Sequence, residues 1–128
     1  LMFDDVTLTT RQPIDREYTA KIKEYLQDPR ISTELVADLP ASATVPTPLK
    51  FLGRIVGTPG ELTYAKDMYR YYDALDAASP RVKVWRIGQT EEGRDLIIVA
   101  VADEAVIREY IKNQEKEDER LDQLGLWR

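Results

Sequence analysis

The sequence contains no cysteine and no histidine among its 128 residues. Without cysteine the chain forms no disulfide and has no thiolate to act as a nucleophile or to bind zinc or an iron–sulfur cluster. Without histidine it has no Ser–His or Cys–His catalytic pair and no imidazole metal ligand. A metal site would have to consist of carboxylates, which suit magnesium, calcium or manganese better than zinc. These absences favour a chain that performs no catalysis by itself.

Long apolar runs and a positive net charge are also lacking. No stretch approaches the roughly 18 apolar residues of a membrane span, and no signal peptide is visible. The net charge of −5 argues against nucleic acid or an anionic membrane as the partner. Since a hydrophobic fraction of 43% is typical of a folded globular protein, residues 1–128 are predicted to form a single domain. Because Leu1 precedes Met2, we expect that a leader or tag has been removed.

The first third of the chain has signals for helices and for a loop. Asp15 is predicted to cap a helix that ends before Asp28-Pro29, because proline disfavours helical geometry in the residue before it. The apolar stripe of this helix consists of Tyr18, Ile22, Tyr25 and Leu26. Residues 31–38 are predicted to form a short helix. Residues 39–48 place prolines among small residues and are predicted to form an extended loop.

A further helix is predicted from the pattern Thr58-Pro59-Gly60-Glu61, which is typical of a capping box with threonine as the N-cap. Ser79-Pro80 is predicted to end this helix. Its apolar face is predicted to consist of Leu62, Ala65, Met68, Tyr69, Tyr72 and Leu75.

Two strands are predicted at residues 81–89 and 95–102, joined by a turn at residues 90–93. The second strand is apolar from Leu96 to Val101, which predicts that it is covered on both faces inside a layered α/β or α+β sheet. Only one partner strand is evident, and an isolated strand pair is marginal and has open edges. Three explanations stay open: residues 1–10 supply a third strand, the molecule dimerises, or the chain belongs to something larger.

The last helix is predicted over residues 104–124, with Gly125 as its C-cap residue. Its core-facing residues are predicted to be Val106, Ile107, Tyr110 and Ile111. Acidic residues then alternate with Lys112, Lys116 and Arg120. These acidic residues are Glu115, Glu117, Asp118 and Glu119. A solvated face with spaced ion pairs explains this pattern better than a metal site does.

The other candidate sites have simple structural explanations. Residues 53–60 are rich in glycine and precede a predicted helix, where an anion can bind, but a turn that leads into a capped helix is favoured. Asp4-Asp5 could bind a divalent cation only with carboxylates from elsewhere, so an exposed arm is favoured. Tyr64, Tyr69, Tyr71 and Tyr72 share one helix; Tyr69 and Tyr72 fit its core, whereas Tyr71 is placed at an interface. No residue is predicted to be catalytic, cofactor-binding or metal-ligating.

The helix–strand–turn–strand passage resembles the start of a zinc carboxypeptidase of the carboxypeptidase A-like family, in its large bacterial form. The resemblance covers residues 15–103. It rests on residues 69–75, 78–82 and 87–99, above all on Ile87-Gly88 followed by Glu92-Gly93-Arg94, and on Leu52-Gly53 with residues 57–60. It implies that the strand pair is the first two strands of a mixed sheet with helices on both faces. Gly93 and Arg94 are expected to serve the turn, with Arg94 in packing or a salt bridge.

The resemblance also implies where the chemistry lies. In the family, zinc is bound by a His-x-x-Glu motif beyond the second strand and by a distant histidine, and a later glutamate is the general base. None of these residues occurs in this chain, so its own cofactor is expected to be none, and zinc is expected in a longer parent that hydrolyses C-terminal peptide bonds. The chain is then an inactive N-terminal section of a peptidase domain, and secretion or a periplasmic location is expected from the family.

Two alternatives to this reading remain. The chain could be a stand-alone, non-catalytic, acidic α+β interaction module that pairs through a sheet edge, with a second copy as its partner. It could also be a degenerate relative that keeps the peptide-binding framework without the metal.

Overall fold

In the computed structural model, which describes residues 12–125, four α-helices and an antiparallel strand pair form an α+β fold, as predicted. The elements are α1 (Arg16–Tyr25), a 3-10 turn (Pro29–Ile31), α2 (Pro48–Leu52), α3 (Ala65–Ala78), β1 (Val82–Gln89), β2 (Asp95–Val101) and α4 (Glu104–Gln123). The chain divides into two compact units between Tyr71 and Tyr72, so α3 contributes to both. We call them the N-terminal unit and the C-terminal unit.

Helix α1 begins and ends where the sequence predicts. The side chain of Asp15 accepts a hydrogen bond from the backbone N–H of Tyr18 at 2.9 Å, which satisfies one of the unpaired donors of the first turn. The buried hydroxyl of Thr19 accepts the backbone N–H of Leu39 at 3.2 Å, and the N–H of Asp15 donates to the carbonyl of Leu39 at 2.8 Å. These bonds join α1 to the loop after residue 38.

The prediction of a short helix at residues 31–38 is wrong. A 3-10 turn ends at Ile31, and only a turn follows, in which the N–H of Val36 donates to the carbonyl of Thr33. Leu35 is 92% exposed, so the segment has no apolar stripe to pack against a neighbour. An isolated helix of this length is unstable in water without such packing.

The 3-10 turn is closed by an ion pair between Asp28 and Arg30, with 2.6 Å between Oδ2 and Nη2. Hydrogen bonds from the Arg30 side chain and backbone hold the pKa of the Asp28 carboxyl below its usual value. The charged form therefore favours the folded turn above the pKa that Asp28 has in the unfolded chain. That contribution is lost as the pH falls through the lower pKa of the folded state.

We expect Arg30→Gln to raise the pKa of the Asp28 carboxyl toward its usual value, as measured by NMR titration of the side-chain carbons. Arg16→Gln is the matched control, because it removes one arginine without touching the turn. An equal pKa of Asp28 in the wild-type and Arg30→Gln chains would contradict the assignment.

The capping box predicted at Thr58 is also wrong, because α3 begins at Ala65. The Thr58 hydroxyl donates to the carbonyl of Ile55 at 2.7 Å instead of accepting an N–H of the following turn. Gly60 has a φ of +77°, a left-handed conformation that interrupts a right-handed helix. Leu62, predicted to face the core, is 76% exposed. The pattern describes a tight loop instead of a helix start.

In the C-terminal unit, β1 and β2 pair as an antiparallel hairpin with Val84 opposite Val99 and Trp85 opposite Ile98. The register shifts between Arg86 and Gly88, so that Ile87 is the extra residue of a β-bulge. Both strands lie within one residue of their predicted bounds.

Helix α4 supplies the best-buried side chain of this unit. Ile107 is 3% exposed, and the ring of Tyr110 lies 5.3 Å from that of Trp85. Asp103 caps the helix by accepting the N–H of Ala105, and Gly125 follows the end with a φ of +67°. Val106, predicted to face the core, is 54% exposed, and Tyr110 remains 50% exposed although its ring packs against Trp85. The buried stripe is therefore narrower than the apolar pattern indicates.

The prediction that β2 is covered on both faces is wrong for residues 12–125. Leu96, Ile98 and Val101 are 43%, 45% and 72% exposed. The sheet formed by the described residues has only the two strands, so the apolar side chains of β2 exceed what the hairpin and helices bury. The third strand considered for residues 1–10 lies outside the described residues. No helix in the described part of the chain has the length and apolar character needed to cross a membrane.

Candidate functional site

Two carboxylates of α3 lie along the outer edge of β1, and one of them binds the backbone of the strand. Asp76 accepts the backbone N–H of Val84 at 2.8 Å, and Lys83 Nζ lies 3.5 Å from the same carboxylate oxygen. One turn earlier on the same helix face, Asp73 pairs with Arg86 at 2.7 Å. A donor that would otherwise be available to another strand is therefore occupied by a side chain of the same molecule.

The bond to Asp76 also shows which backbone groups of β2 point outward. Because the N–H of Val84 points away from β2, Val84 and Val99 form a non-hydrogen-bonded pair of the antiparallel ladder. The N–H of Ala102 donates a hydrogen bond to the Arg81 carbonyl at 3.0 Å. Arg81 and Ala102 are therefore a hydrogen-bonded pair, which agrees with the alternation of hydrogen-bonded and non-hydrogen-bonded pairs along the ladder. The N–H and C=O groups of alternate β2 residues therefore point away from β1. These residues are Asp95, Ile97, Val99 and Val101.

The outer edge of β2 is open among the residues that the structure describes. The sheet contains only β1 and β2, so no described strand accepts or donates hydrogen bonds along this side. No charged residue or proline interrupts the strand from Leu96 to Val101, although such residues commonly protect an exposed edge. We call the outward backbone groups, with the exposed side chains of Leu96, Ile98 and Val101, the β2 edge.

The hairpin turn holds the motif on which the family resemblance depends. Gly93 has a φ of +75°, and its N–H donates to the carbonyl of Thr90 at 2.9 Å. The Thr90 hydroxyl accepts the N–H of Arg94, whose guanidinium pairs with Glu92 at 3.1 Å. Both charged side chains are more than two-thirds exposed. The predicted turn role and salt bridge are confirmed, and this exposed pair has no geometry of a catalytic site.

The glycine-rich loop at residues 53–60 forms a braced turn. Arg54 crosses it, with Nη2 donating to the carbonyl of Leu62 at 3.1 Å and Nε lying 3.1 Å from the Glu61 carboxylate. Because the next helix begins only at Ala65, the loop does not lead into the helix N-terminus that an anion site would need. The turn in the favoured prediction is therefore confirmed, whereas the capped helix predicted to follow it directly is wrong.

The remaining candidates do not converge on a site. Glu117 pairs with Arg120 at 2.6 Å on α4, and this arginine lowers the pKa of the Glu117 carboxyl, as expected for a solvated ion pair. The Tyr71 hydroxyl donates to the carbonyl of Pro46 at 2.8 Å, so Tyr71 packs within the N-terminal unit. Tyr64 is 63% exposed. Asp4-Asp5 lies outside the described residues.

The described side chains offer no set of ligands that fits zinc. The sequence has neither histidine nor cysteine, and the described residues contain no group of three acidic side chains that could hold a metal ion. Sequence reasoning missed the role of Asp73 and Asp76. Their spacing of three residues on a helix that leads directly into a strand is the signal that could have found them.

Comparisons with models of protein families, with curated proteins and with solved structures give no match.

Proposed function

We propose that this chain is the N-terminal section of a zinc carboxypeptidase-like metallopeptidase, whose remainder binds zinc and hydrolyses C-terminal peptide bonds. The β2 edge is the observation that carries the proposal. A hairpin with one edge closed by Asp76 and one apolar edge left open has the form of the margin of a larger sheet. In the parent, further strands would add at β2 and cover its exposed faces.

The positions of the motif residues support the same proposal. Residues 69–75 lie in α3, Ile87-Gly88 lies near the end of β1, and Glu92-Gly93-Arg94 forms the turn into β2. The resemblance implies this order of helix, strand, turn and strand. The role of the chain is then structural, since it provides the first hairpin and the helices that frame the sheet.

The test combines the reading frame of the source gene with the size of the native protein. We expect the frame to continue into a His-x-x-Glu motif, and an antibody against this chain to detect a longer protein in the source cells. The longer protein should remove C-terminal residues from peptides, lose this activity with a chelator and regain it with zinc. The 128-residue chain with added zinc is the control and should show no hydrolysis. A stop codon directly after Arg128 would overturn the proposal.

A second candidate function is a stand-alone, non-catalytic interaction module that pairs through a sheet edge. The observation that favours it is again the β2 edge, because an apolar edge that is open among the described residues can accept a strand from another chain. A native protein that is no longer than this chain and that associates through β2 would favour the module over the peptidase section.

A further inference from the structure

We infer that a second copy of this chain docks at the β2 edge, with the two β2 strands antiparallel across a two-fold axis at Ile98. The inference deepens the interaction-module function and concerns the 128-residue chain by itself. It does not depend on the peptidase proposal, because in a longer parent the same edge would be occupied by another strand of that polypeptide.

The two edges of the hairpin are not equivalent. On β1, Asp76 occupies the outward N–H of Val84, and the Asp73–Arg86 and Asp76–Lys83 ion pairs place charge along the edge. The bulge at Ile87 further interrupts that side. On β2, the strand has no bulge and no charge between Leu96 and Val101. An added strand is therefore directed to β2.

The register of β2 makes it complementary to itself. The strand runs over seven residues, Asp95–Val101, and both its first and its last residue point their backbone groups outward. When two such strands overlap fully and antiparallel, Asp95 lies opposite Val101 of the second copy and Ile97 lies opposite Val99 of the second copy. Each outward N–H of one β2 strand then faces an outward C=O of the second copy, as a hydrogen-bonded ladder requires.

The side chains suit the same register. Ile98, 45% exposed, meets Ile98 of the second copy on the axis, and Leu96, 43% exposed, lies opposite Ala100 of the second copy. No carboxylate faces another carboxylate within the strand, because Asp95 lies opposite a valine and is 3.5 Å from Arg86 in its own chain. Apolar pairs across strands, together with a two-fold interface, are the common basis of symmetric dimers.

The test places a charge at Ile98, because a charged residue on the two-fold axis faces the same charge in the second copy. We expect sedimentation to show that the wild-type chain forms a dimer at chain concentrations of up to about 1 mM. Ile98→Lys and Ile98→Glu should each weaken the dimer roughly tenfold or more, and an equimolar mixture of the two should restore association as a heterodimer. Ile87→Lys and Ile87→Glu are matched controls, since Ile87 is also an exposed isoleucine of the hairpin but lies on β1, and they should leave the dimer unchanged.

Circular dichroism of each variant separates loss of folding from loss of pairing. If the Ile98 variants do not keep the wild-type spectrum, Val99→Pro decides, because it removes an outward N–H that β1 does not use and should yield a folded monomer. A wild-type chain that is monomeric throughout overturns the inference. So does a dimer that survives Ile98→Lys or Val99→Pro, and so do folded Ile98 variants that fail to associate on mixing.

Discussion

Replacing Ile107 by alanine is expected to lower the free energy of unfolding of the C-terminal unit by about 2–5 kcal/mol. Ile107 is 3% exposed on α4, the lowest exposure among the buried apolar residues of the described chain. Truncation removes buried methyl and methylene groups and leaves a cavity that the hairpin and helix cannot fill without repacking. Since this unit buries few apolar side chains, a single loss of this size removes a large part of its stability.

The measurement is urea denaturation followed by the fluorescence of Trp85, in a Trp127→Phe background so that one tryptophan reports. Val106→Ala is the matched control: Val106 precedes Ile107 on the same helix but is 54% exposed, so its truncation should cost less than about 1 kcal/mol. Equal losses for the two variants would show that Ile107 does not form the core of the unit.

Replacing Asp76 by alanine is expected to lower the free energy of unfolding of the same unit by about 1–3 kcal/mol. The substitution leaves the N–H of Val84 without its acceptor and leaves Lys83 without its carboxylate. Asp76 is 26% exposed, so solvent replaces the lost bond only in part. The β1 edge also becomes open, and we expect a greater tendency to aggregate.

Hydrogen exchange gives a local readout, because the amide of Val84 should exchange faster in Asp76→Ala. Asp76→Asn keeps an acceptor oxygen and should retain most of the protection and of the stability. Asp73→Ala is the matched control on the same helix face: it removes a half-exposed ion pair with Arg86 and should cost no more than about 1 kcal/mol. Unchanged exchange of the Val84 amide in Asp76→Ala would refute the closure of the β1 edge.

The two edges of one hairpin lead to different expectations for association. Opening the β1 edge through Asp76→Ala should promote nonspecific aggregation, because the bulge and the charges there prevent a regular ladder. Charging the β2 edge should instead weaken a specific dimer. The contrast between these variants would distinguish specific self-association at the β2 edge from nonspecific association of an incompletely covered sheet.

Several elements were predictable because their signals lie within a few residues of the chain. The cap of α1 is a bond between Asp15 and Tyr18, three residues apart, and the hairpin turn closes through Thr90 and Gly93. The bounds of the two strands could be predicted from the residues of the strands themselves. These features are local, because the bonds that fix them join residues only a few positions apart.

The failed predictions depend on bonds and packing surfaces that a capping or apolar pattern does not encode. Thr58-Pro59-Gly60-Glu61 has the pattern of a helix start, but Arg54 and the Ile55 carbonyl bind its side chains and make it a loop. The apolar residues of the segment 31–38 are spaced as in a helix, but among the described residues their side chains have no surface to pack against. For β2, an apolar run predicts coverage that the described residues do not provide.

The sequence by itself determined the α+β class, the hairpin, the bounds of α1 and α4 and the end of α3. Only the tertiary structure decided which sheet edge is open among residues 12–125. That outcome depends on whether a carboxylate of α3 reaches the backbone of β1, and Asp76 and Val84 are eight residues apart. A side chain–backbone bond between separate elements depends on how those elements pack, which no periodicity along the chain records.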